Sequence, residues 1–248
     1  RKPDQLAEFA KAGFRVDGQQ PPASDVVDFG PIGTPVDLGD NALRATIADT
    51  LASPAESPTV TVMLDQSMPT DEGGKARLSN VVDALKARLQ ALPPDSGVGL
   101  WTFDGVSGRS EVPLGALTDQ VDGRSRSAAL TAALDEQSPS NGGAVSFTTL
   151  RLVYTDASAK YRQGQKNSVL VITAGPHTDQ SLGADGLRQY ISGAFNQATP
   201  VAVNVIDFGD DPDRSTWEAV SATTGGTYQN LSSSSGPELA SAIAAMMG

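Results

Sequence analysis

Asp65 and Ser67 stand at the end of an apolar run in the segment TVTVMLDQSMPT, residues 59–70. The mixture of β-branched and apolar residues before Asp65 is typical of a buried strand. A carboxylate and a hydroxyl two residues apart, where a strand ends, are oxygen ligands of the kind that Mg²⁺ prefers. The segment therefore predicts a divalent-cation site, the remains of such a site, or a polar turn.

The elements that would position these side chains alternate between strands and helices. Six segments have the pattern of strands: 59–64, 98–103, 110–117, 168–174, 200–208 and 227–231. Six have the pattern of helices: 73–92, 125–137, 148–161, 183–195, 214–225 and 236–247. Pro113 marks the third strand as an edge strand, because proline cannot donate to a ladder. The alternation predicts a doubly wound α/β domain with a mainly parallel sheet, flanked by helices, and one short edge strand. Ligands of such sheets bind at the carboxyl ends of the strands, where Asp65 and Ala174 are expected.

Composition excludes several classes of function. The 248 residues include 29 acidic and 18 basic side chains, a formal net charge of −11, which argues against nucleic acid and against docking on anionic lipid. The chain has no cysteine, so disulfides, thiolate metal sites and a cysteine nucleophile are excluded. Apolar residues are dispersed, and no window approaches the roughly 20 needed to insert into a bilayer.

The strand that ends in Asp-x-Ser, the α/β alternation and the closing segment TGGTYQNLSSSSGPELASAI together resemble a von Willebrand factor A (VWA) domain. The resemblance covers residues 57–248. It implies a metal-ion-dependent adhesion site, which combines Asp-x-Ser-x-Ser after the first strand, a Thr in a second loop and an Asp after a later buried strand. An open coordination position of the metal would accept a carboxylate from a partner protein.

The match to this site is partial. Asp65 and Ser67 correspond to the first two ligands, whereas Pro69 takes the third position and has no ligating side chain. Thr148 corresponds to the second-loop Thr, with Thr149 as the alternative. Ala174 stands where the resemblance implies the second carboxylate.

The loss of that carboxylate leaves one anion to offset a dipositive ion, so the resemblance implies weak or absent binding of Mg²⁺ or Mn²⁺. Asp71 and Asp179 are candidate substitutes for the missing oxygens. In the competing interpretation the site is degenerate, and Asp65 and Ser67 form hydrogen bonds with neighbouring loop amides.

Other chemistry has little support in the sequence. A phosphoryl-transfer site of the haloacid dehalogenase type needs Asp-x-Asp-x-Thr, and Ser67 and Pro69 occupy the second and third positions. His177 is the single histidine; as a lone base it would need a nucleophile, for which Thr178 and Ser181 are the nearest candidates, and no third member is in view. No phosphate-binding P-loop, GxGxxG or Gly-x-Ser-x-Gly pattern is present. The sequence therefore predicts a chain that is not an enzyme.

Residues 1–56 are predicted to form an N-terminal appendage and linker, separate from a VWA-like domain at residues 57–248. The segment RKPDQLAEFAKAGFR is similar to the last helix of bacterial periplasmic solute-binding proteins. Some actinobacterial envelope proteins join such a domain to a C-terminal VWA domain. The resemblance implies an extracytoplasmic protein of the cell envelope, whose targeting or anchor segment lies outside this chain.

These features predict a protein-interaction or adhesion module with an unidentified protein partner. The binding edge is expected to comprise the loops 65–72, 142–149 and 174–181. Within and beside these loops, four residues are expected to contact the partner: Gln66, Met68, Thr149 and His177. The alternative is part of an extracytoplasmic solute-binding protein whose small-molecule site lies mainly in an upstream domain.

Overall fold

The computed structural model describes residues 57–248. The predictions made for residues 1–56, including the similarity to a solute-binding protein, lie outside the described residues. Within residues 57–248, no helix is both long and apolar enough to cross a membrane.

Strands and helices alternate in the order expected from the sequence. The strands are β1 (Pro58–Asp65), β2 (Gly97–Phe103), β3 (Gly108–Ala116), β4 (Gln120–Val121), β5 (Arg124–Ser125), β6 (Lys166–Thr173), β7 (Val201–Phe208) and β8 (Tyr228–Leu231). The helices are α1 (Arg77–Ala91), α2 (Arg126–Asp135), α3 (Ser146–Ala159), α4 (Ala184–Ala194), α5 (Arg214–Thr224) and α6 (Pro237–Met246).

The central sheet has six strands in the order β3-β2-β1-β6-β7-β8. All neighbours pair in parallel except β3, which runs antiparallel to β2 at one edge. This arrangement confirms the predicted α/β class, the mainly parallel sheet and the edge position of the strand that contains Pro113.

Helices cover both faces of the sheet and form two hydrophobic cores. β1 is buried along its whole length, as expected for a central parallel strand. On one face, α1 buries the side chains that share its apolar stripe: Leu78, Val81, Val82, Leu85 and Leu89. On the other face, Phe147 of α3 and Trp217 of α5 pack with β-strand residues such as Val171.

Two local details differ from the prediction. Helix α1 begins at Arg77 rather than at residue 73, because Gly73 and Gly74 have φ of +71° and +84°, outside the helical region. The two-residue strands β4 and β5 were not predicted. Asp122 and Gly123 join them with positive φ at both positions, the conformation of a type I′ hairpin turn that favours Asp-Gly.

The sheet register brings three polar side chains to its carboxyl edge. Leu64 of β1 pairs with Ile172 of β6, so Asp65 and Thr173 end their strands next to each other. On the far side, Thr173 pairs with Asp207 of β7. Side chains that are distant in sequence therefore converge at the edge where ligands bind in parallel α/β sheets.

Candidate interaction edge at the carboxyl ends of the strands

Asp65 is fully buried, and both of its carboxylate oxygens accept hydrogen bonds from within the protein. Oδ1 accepts from the backbone N of Ser67 at 2.7 Å and from its hydroxyl at 2.5 Å. Oδ2 accepts from the Thr173 hydroxyl at 2.9 Å and from the backbone N of Ala174 at 3.3 Å. Hydrogen bonds thus join Asp65 to Ser67 within the motif and to the carboxyl end of β6.

Burial raises the pKa of the Asp65 carboxyl, and the hydrogen bonds from Ser67, Thr173 and Ala174 act in the opposite direction. Desolvation penalises the charged form, whereas donors that point at the carboxylate favour it. Thr173 is the functional neighbour of Asp65 that sequence reasoning missed. Its position as the last residue of a buried strand, directly before Ala174, was the available signal.

The residues around Asp65 do not fit a Mg²⁺ or Mn²⁺ site. Asp65 is the single carboxylate bonded to Ser67 and Thr173, Pro69 is exposed without a ligating atom, and Ala174 offers its backbone N–H. A hard dication needs several oxygen ligands and compensation of its charge. Among residues 57–248, no three His, Cys, Asp or Glu side chains lie close enough together to hold a metal ion.

The other predicted ligands form separate local contacts. The Thr148 hydroxyl donates to Asp179 Oδ2 at 2.6 Å, so these two residues meet each other and not Asp65. Asp71 Oδ1 accepts from the backbone N of Gly74 at 3.2 Å within its own loop. Both hydrogen bonds satisfy a carboxylate locally, and neither supplies an oxygen to Asp65.

Asp179 is held by the loop that precedes α4. Its Oδ1 accepts from the backbone N of Ser181 at 2.8 Å, and its Oδ2 accepts from the Ser181 hydroxyl at 2.6 Å. The hydrogen bond from the Ser181 hydroxyl, then that from Thr148 and that from the Ser181 backbone, lower the pKa of Asp179 to about 2. The carboxylate therefore carries its negative charge at neutral pH.

His177 connects α3 to the loop before α5. Its Nδ1 accepts from the backbone N of Phe147 at 3.2 Å, and its ring stacks on the Phe147 ring with centroids 4.1 Å apart. The backbone N of His177 donates to Asp213 Oδ2 at 2.7 Å. Nδ1 also lies 3.3 Å from the Ser146 hydroxyl, whereas Nε2 is buried and has no hydrogen-bond partner among the described residues.

Two of the expected partner contacts need correction. Met68 and Thr149 are each 1% exposed, so neither side chain offers an exposed surface to a partner, although Thr149 lies at the base of the groove described below. Met68 packs in the core beneath the first loop, because its apolar side chain turns inward after β1. The Thr149 hydroxyl donates to the Val145 carbonyl at 2.8 Å, one helical turn back.

Gln66 is partly exposed and links two neighbouring elements. Its side-chain amide nitrogen donates to Gln137 Oε1 at 2.8 Å, and its Oε1 accepts from the Arg109 guanidinium. Arg109 also donates to Asp104 Oδ2 at 3.0 Å. Gln66 therefore belongs to a polar network that joins the first loop to the edge hairpin and to the end of α2.

A groove of about 510 Å³ lies between the β2–β3 turn, helix α3 and the loop that follows β6. Residues 105–108 form one wall; Thr148 and Leu152 belong to the second, and residues 178–180 to the third. Val106 is 85% exposed and Leu152 is 46% exposed, and they are the large hydrophobic residues of the described chain that face solvent. Sequence reasoning missed both, because neither an apolar turn residue nor an apolar helix residue signals exposure.

A second buried acidic network lies at the end of β7. Asp207 is fully buried, and its Oδ2 accepts from the Tyr228 hydroxyl at 2.9 Å. Asp211 is 7% exposed, and its Oδ2 accepts from the Trp217 indole nitrogen at 3.2 Å. Burial raises the pKa of Asp211 to about 6. These residues anchor the start of α5, the helix to which His177 is also tied through Asp213.

No protein-family model matches this sequence. Two uncharacterized proteins of Mycobacterium tuberculosis, one from strain H37Rv and one from strain CDC 1551, are each 58% identical to it over 242 residues. The match covers 98% of this chain and 36% of each relative. The chain thus spans about a third of the length of the curated relatives it matches.

Solved structures identify the architecture. A von Willebrand factor type A protein from Catenulispora acidiphila superposes with a TM-score of 0.59 at 15% identity, over 77% of this chain and 43% of that one. The fold is that of a VWA domain.

Two further structures share the VWA fold. The VWA domain of SpRpn10 matches 75% of this chain and 94% of its own, with a TM-score of 0.53 and 13% identity. Proximal thread matrix protein 1 from the mussel byssus, in a structure with a zinc-occupied MIDAS motif, gives a TM-score of 0.56 at 16% identity over 77% of this chain and 47% of its own. Identities this low establish the shared fold alone.

Proposed function

We propose that this VWA fold is a non-enzymatic protein-interaction module that binds its partner at the carboxyl edge of the sheet, without a bridging metal. The observation that carries the proposal is the position of Val106 and Leu152. Both exposed hydrophobic residues line one groove at this edge. Apolar side chains that face solvent together mark interaction surfaces more often than isolated ones do.

The state of Asp65 supports binding without metal. A metal-bridged mechanism needs a carboxylate that is free to face the ion, whereas both oxygens of Asp65 accept internal hydrogen bonds. Replacing these donors with Mg²⁺ would leave buried amide and hydroxyl groups to find new partners, which is unfavourable. In this proposal Asp65 holds the first loop in shape and does not touch the partner.

The state of His177 supports a non-enzymatic role. Its Nδ1 accepts from the Phe147 backbone N, and its ring is stacked on Phe147. A general base must offer a free nitrogen to the proton that it removes. Here Nδ1 is bonded to the start of α3 and Nε2 is buried, so neither ring nitrogen is placed to take a proton from a substrate.

We also propose that the protein acts outside the cytoplasm, in the cell envelope. The support is the similarity of residues 1–15 to the end of a periplasmic solute-binding domain. Cell fractionation with an antibody against residues 57–248 tests this location. Recovery of the protein in the cytosol alone would contradict it.

The interaction itself is tested with paired arginine substitutions at exposed positions. Thr70→Arg with Gln180→Arg places bulk and charge on two loops of the proposed edge, while Thr199→Arg with Gln197→Arg makes the same two changes at the opposite edge of the sheet. Each tagged variant is expressed in the source organism, and cross-linked partners are quantified by mass spectrometry. We expect the first pair to remove a partner that the wild type and the second pair both retain. Equal recovery with all three proteins would reject the proposed edge.

A further inference from the structure

The charge of the groove is carried by one side chain. Asp179 is the single charged residue among those that line it; the others are apolar, glycine or neutral polar residues. Ser181 and Thr148 hold the Asp179 carboxylate by hydrogen bonds, in the position where it borders the groove. Any occupant therefore meets a fixed negative charge at one side of an otherwise uncharged groove.

No described lysine or arginine side chain pairs with that charge. Within residues 57–248, no Lys or Arg forms an ion pair with Asp179, and Arg109 on the neighbouring hairpin pairs with Asp104 at 3.0 Å. His177 lies two residues away in the chain, and its ring is held by the backbone and the ring of Phe147. Both oxygens of Asp179 accept hydrogen bonds from Ser181 and Thr148, but unlike the fully buried Asp65 this carboxylate is partly exposed, so a cation from outside can reach it.

The apolar residues of the groove indicate which kind of cationic group fits it. Val106 and Leu152 border the same groove as Asp179 and are exposed by 85% and 46%. Lysine and arginine side chains lay an aliphatic stem along apolar surface and place the charged group at its end. An apolar border with a carboxylate beside it matches such a side chain better than it matches an anion or a purely apolar group.

We propose that this groove binds a lysine or arginine side chain of the partner protein, flanked in the partner by apolar residues. This inference rests on the proposed interaction function and names the chemistry of the partner. Its sign is opposite to that of the metal-bridged mode implied by the sequence resemblance, in which the partner supplies a carboxylate. The net charge of −11 also favours the approach of a basic partner segment.

Two matched peptides test the proposal on the full chain. Acetyl-Leu-Lys-Leu-amide carries the ammonium group, and acetyl-Leu-norleucine-Leu-amide has a side chain of similar length without charge. Each is titrated into ¹⁵N-labelled protein while amide chemical shifts are followed. We expect saturable shifts at residues 105–108 and 178–180 with the lysine peptide, and binding at least about tenfold weaker with the norleucine peptide.

Variants assign the effect to the groove. Asp179→Asn removes the charge but keeps an oxygen that accepts from Thr148 and Ser181, and we expect it to weaken lysine-peptide binding about tenfold. Val106→Ser, at a position 85% exposed, is expected to weaken both peptides. Asp210→Asn is the control, because it makes the same chemical change at an exposed residue outside this groove.

The proposal is overturned if the lysine peptide shifts no groove amide, if norleucine binds equally well, or if Asp179→Asn leaves binding intact. The proposal is also overturned if the wild type forms dimers and Asp179→Asn is monomeric, because the groove would then bind a second copy of this chain. These failures differ from failure of the proposed function. If the Thr70→Arg and Gln180→Arg pair removes the natural partner while the peptides fail, the edge is correct and the basic ligand is wrong.

Discussion

The hydroxyl of Thr173 donates a 2.9 Å hydrogen bond to the carboxylate of Asp65, and both residues are fully buried at the ends of adjacent parallel strands. This bond ties the loop after β1 to the loop after β6. Those two loops carry much of the proposed binding edge, so the pair sets their relative position. The carboxylate at the centre of the Asp-x-Ser motif therefore has a structural role that can be measured.

Thr173→Val should destabilise the protein by about 1–3 kcal/mol, because it leaves a buried carboxylate oxygen with one donor fewer. Thr61→Val is the matched control in β1: it is also fully buried, but its hydroxyl has no hydrogen-bond partner. Removing that unsatisfied hydroxyl should leave stability unchanged or raise it. Urea denaturation measures both variants. Equal losses would show that the Thr173–Asp65 bond contributes nothing specific.

Gly105→Ala should destabilise the hairpin wall of the groove. A Cβ atom at Gly105 would overlap the Gly142 carbonyl oxygen, and backbone cannot move aside as a flexible side chain can. Overpacking of this kind costs about 1–3 kcal/mol. Gly193→Ala is the control, since its Cβ would meet open space near the end of α4, and alanine there should stabilise the helix by roughly 0.5–1 kcal/mol. Thermal unfolding separates the two effects, and a neutral Gly105→Ala would contradict the close approach of residues 105 and 142.

Calorimetric titration of the metal-stripped protein with Mg²⁺ or Mn²⁺ should give no saturable heat at millimolar ion, because Asp65 is internally bonded and Ala174 adds no carboxylate. Ala174→Asp is the informative variant. It places a second carboxylate beside Asp65 and supplies the missing negative charge, so we expect it to gain measurable binding of Mn²⁺. Saturable binding by the wild type that Asp65→Asn abolishes would overturn the metal-free interpretation.

The sequence predicted the fold closely because the apolar patterns that distinguish helices from strands are local and periodic. The stripe from Leu78 to Leu89 fixed which face of α1 is buried, and the apolar runs ending at Asp65 and Thr173 fixed two central strands. The start of α1 was misplaced because glycine conformation at residues 73 and 74 depends on the loop, and Gly73 lies against Ser235.

The candidate site was predicted less well, because it depends on contacts between segments far apart in the chain. Thr148 was assigned to the Asp65 cluster by the resemblance to a VWA metal site, whereas in the fold its hydroxyl donates to Asp179. Met68 belongs to a polar loop in sequence but packs in the core. Val106 is exposed because it lies in the turn between β2 and β3, and the periodic patterns that predict helices and strands do not predict the exposure of a turn residue.

The contribution of Asp211 to the stability of the protein should fall as pH rises from about 4 to 6. Burial is the largest cause that raises the pKa of this carboxyl from 3.8 to about 6, and repulsion by Asp207 acts in the same direction. The hydrogen bonds from the Asp213 backbone and the Trp217 indole lower the pKa in part. Between those two pH values the folded state binds more protons than the unfolded state, so the contribution of Asp211 to stability is fully present below pH 3.8 and is lost as pH passes 6. Asp65 and Asp207, whose pKa values burial also raises, contribute with the same sign.

Asp211→Asn isolates the contribution of Asp211, since asparagine is similar in shape and does not titrate. We expect urea denaturation from pH 4 to 7 to show a smaller loss of stability in this variant than in the wild type. Asp210→Asn is the control, because it makes the same chemical change at a neighbouring exposed position. The Trp217 indole donates to Asp211 Oδ2 at 3.2 Å, so tryptophan fluorescence of the folded protein should report the same titration. A wild-type profile that Asp211→Asn does not alter would show that Asp211 stays ionised throughout this range.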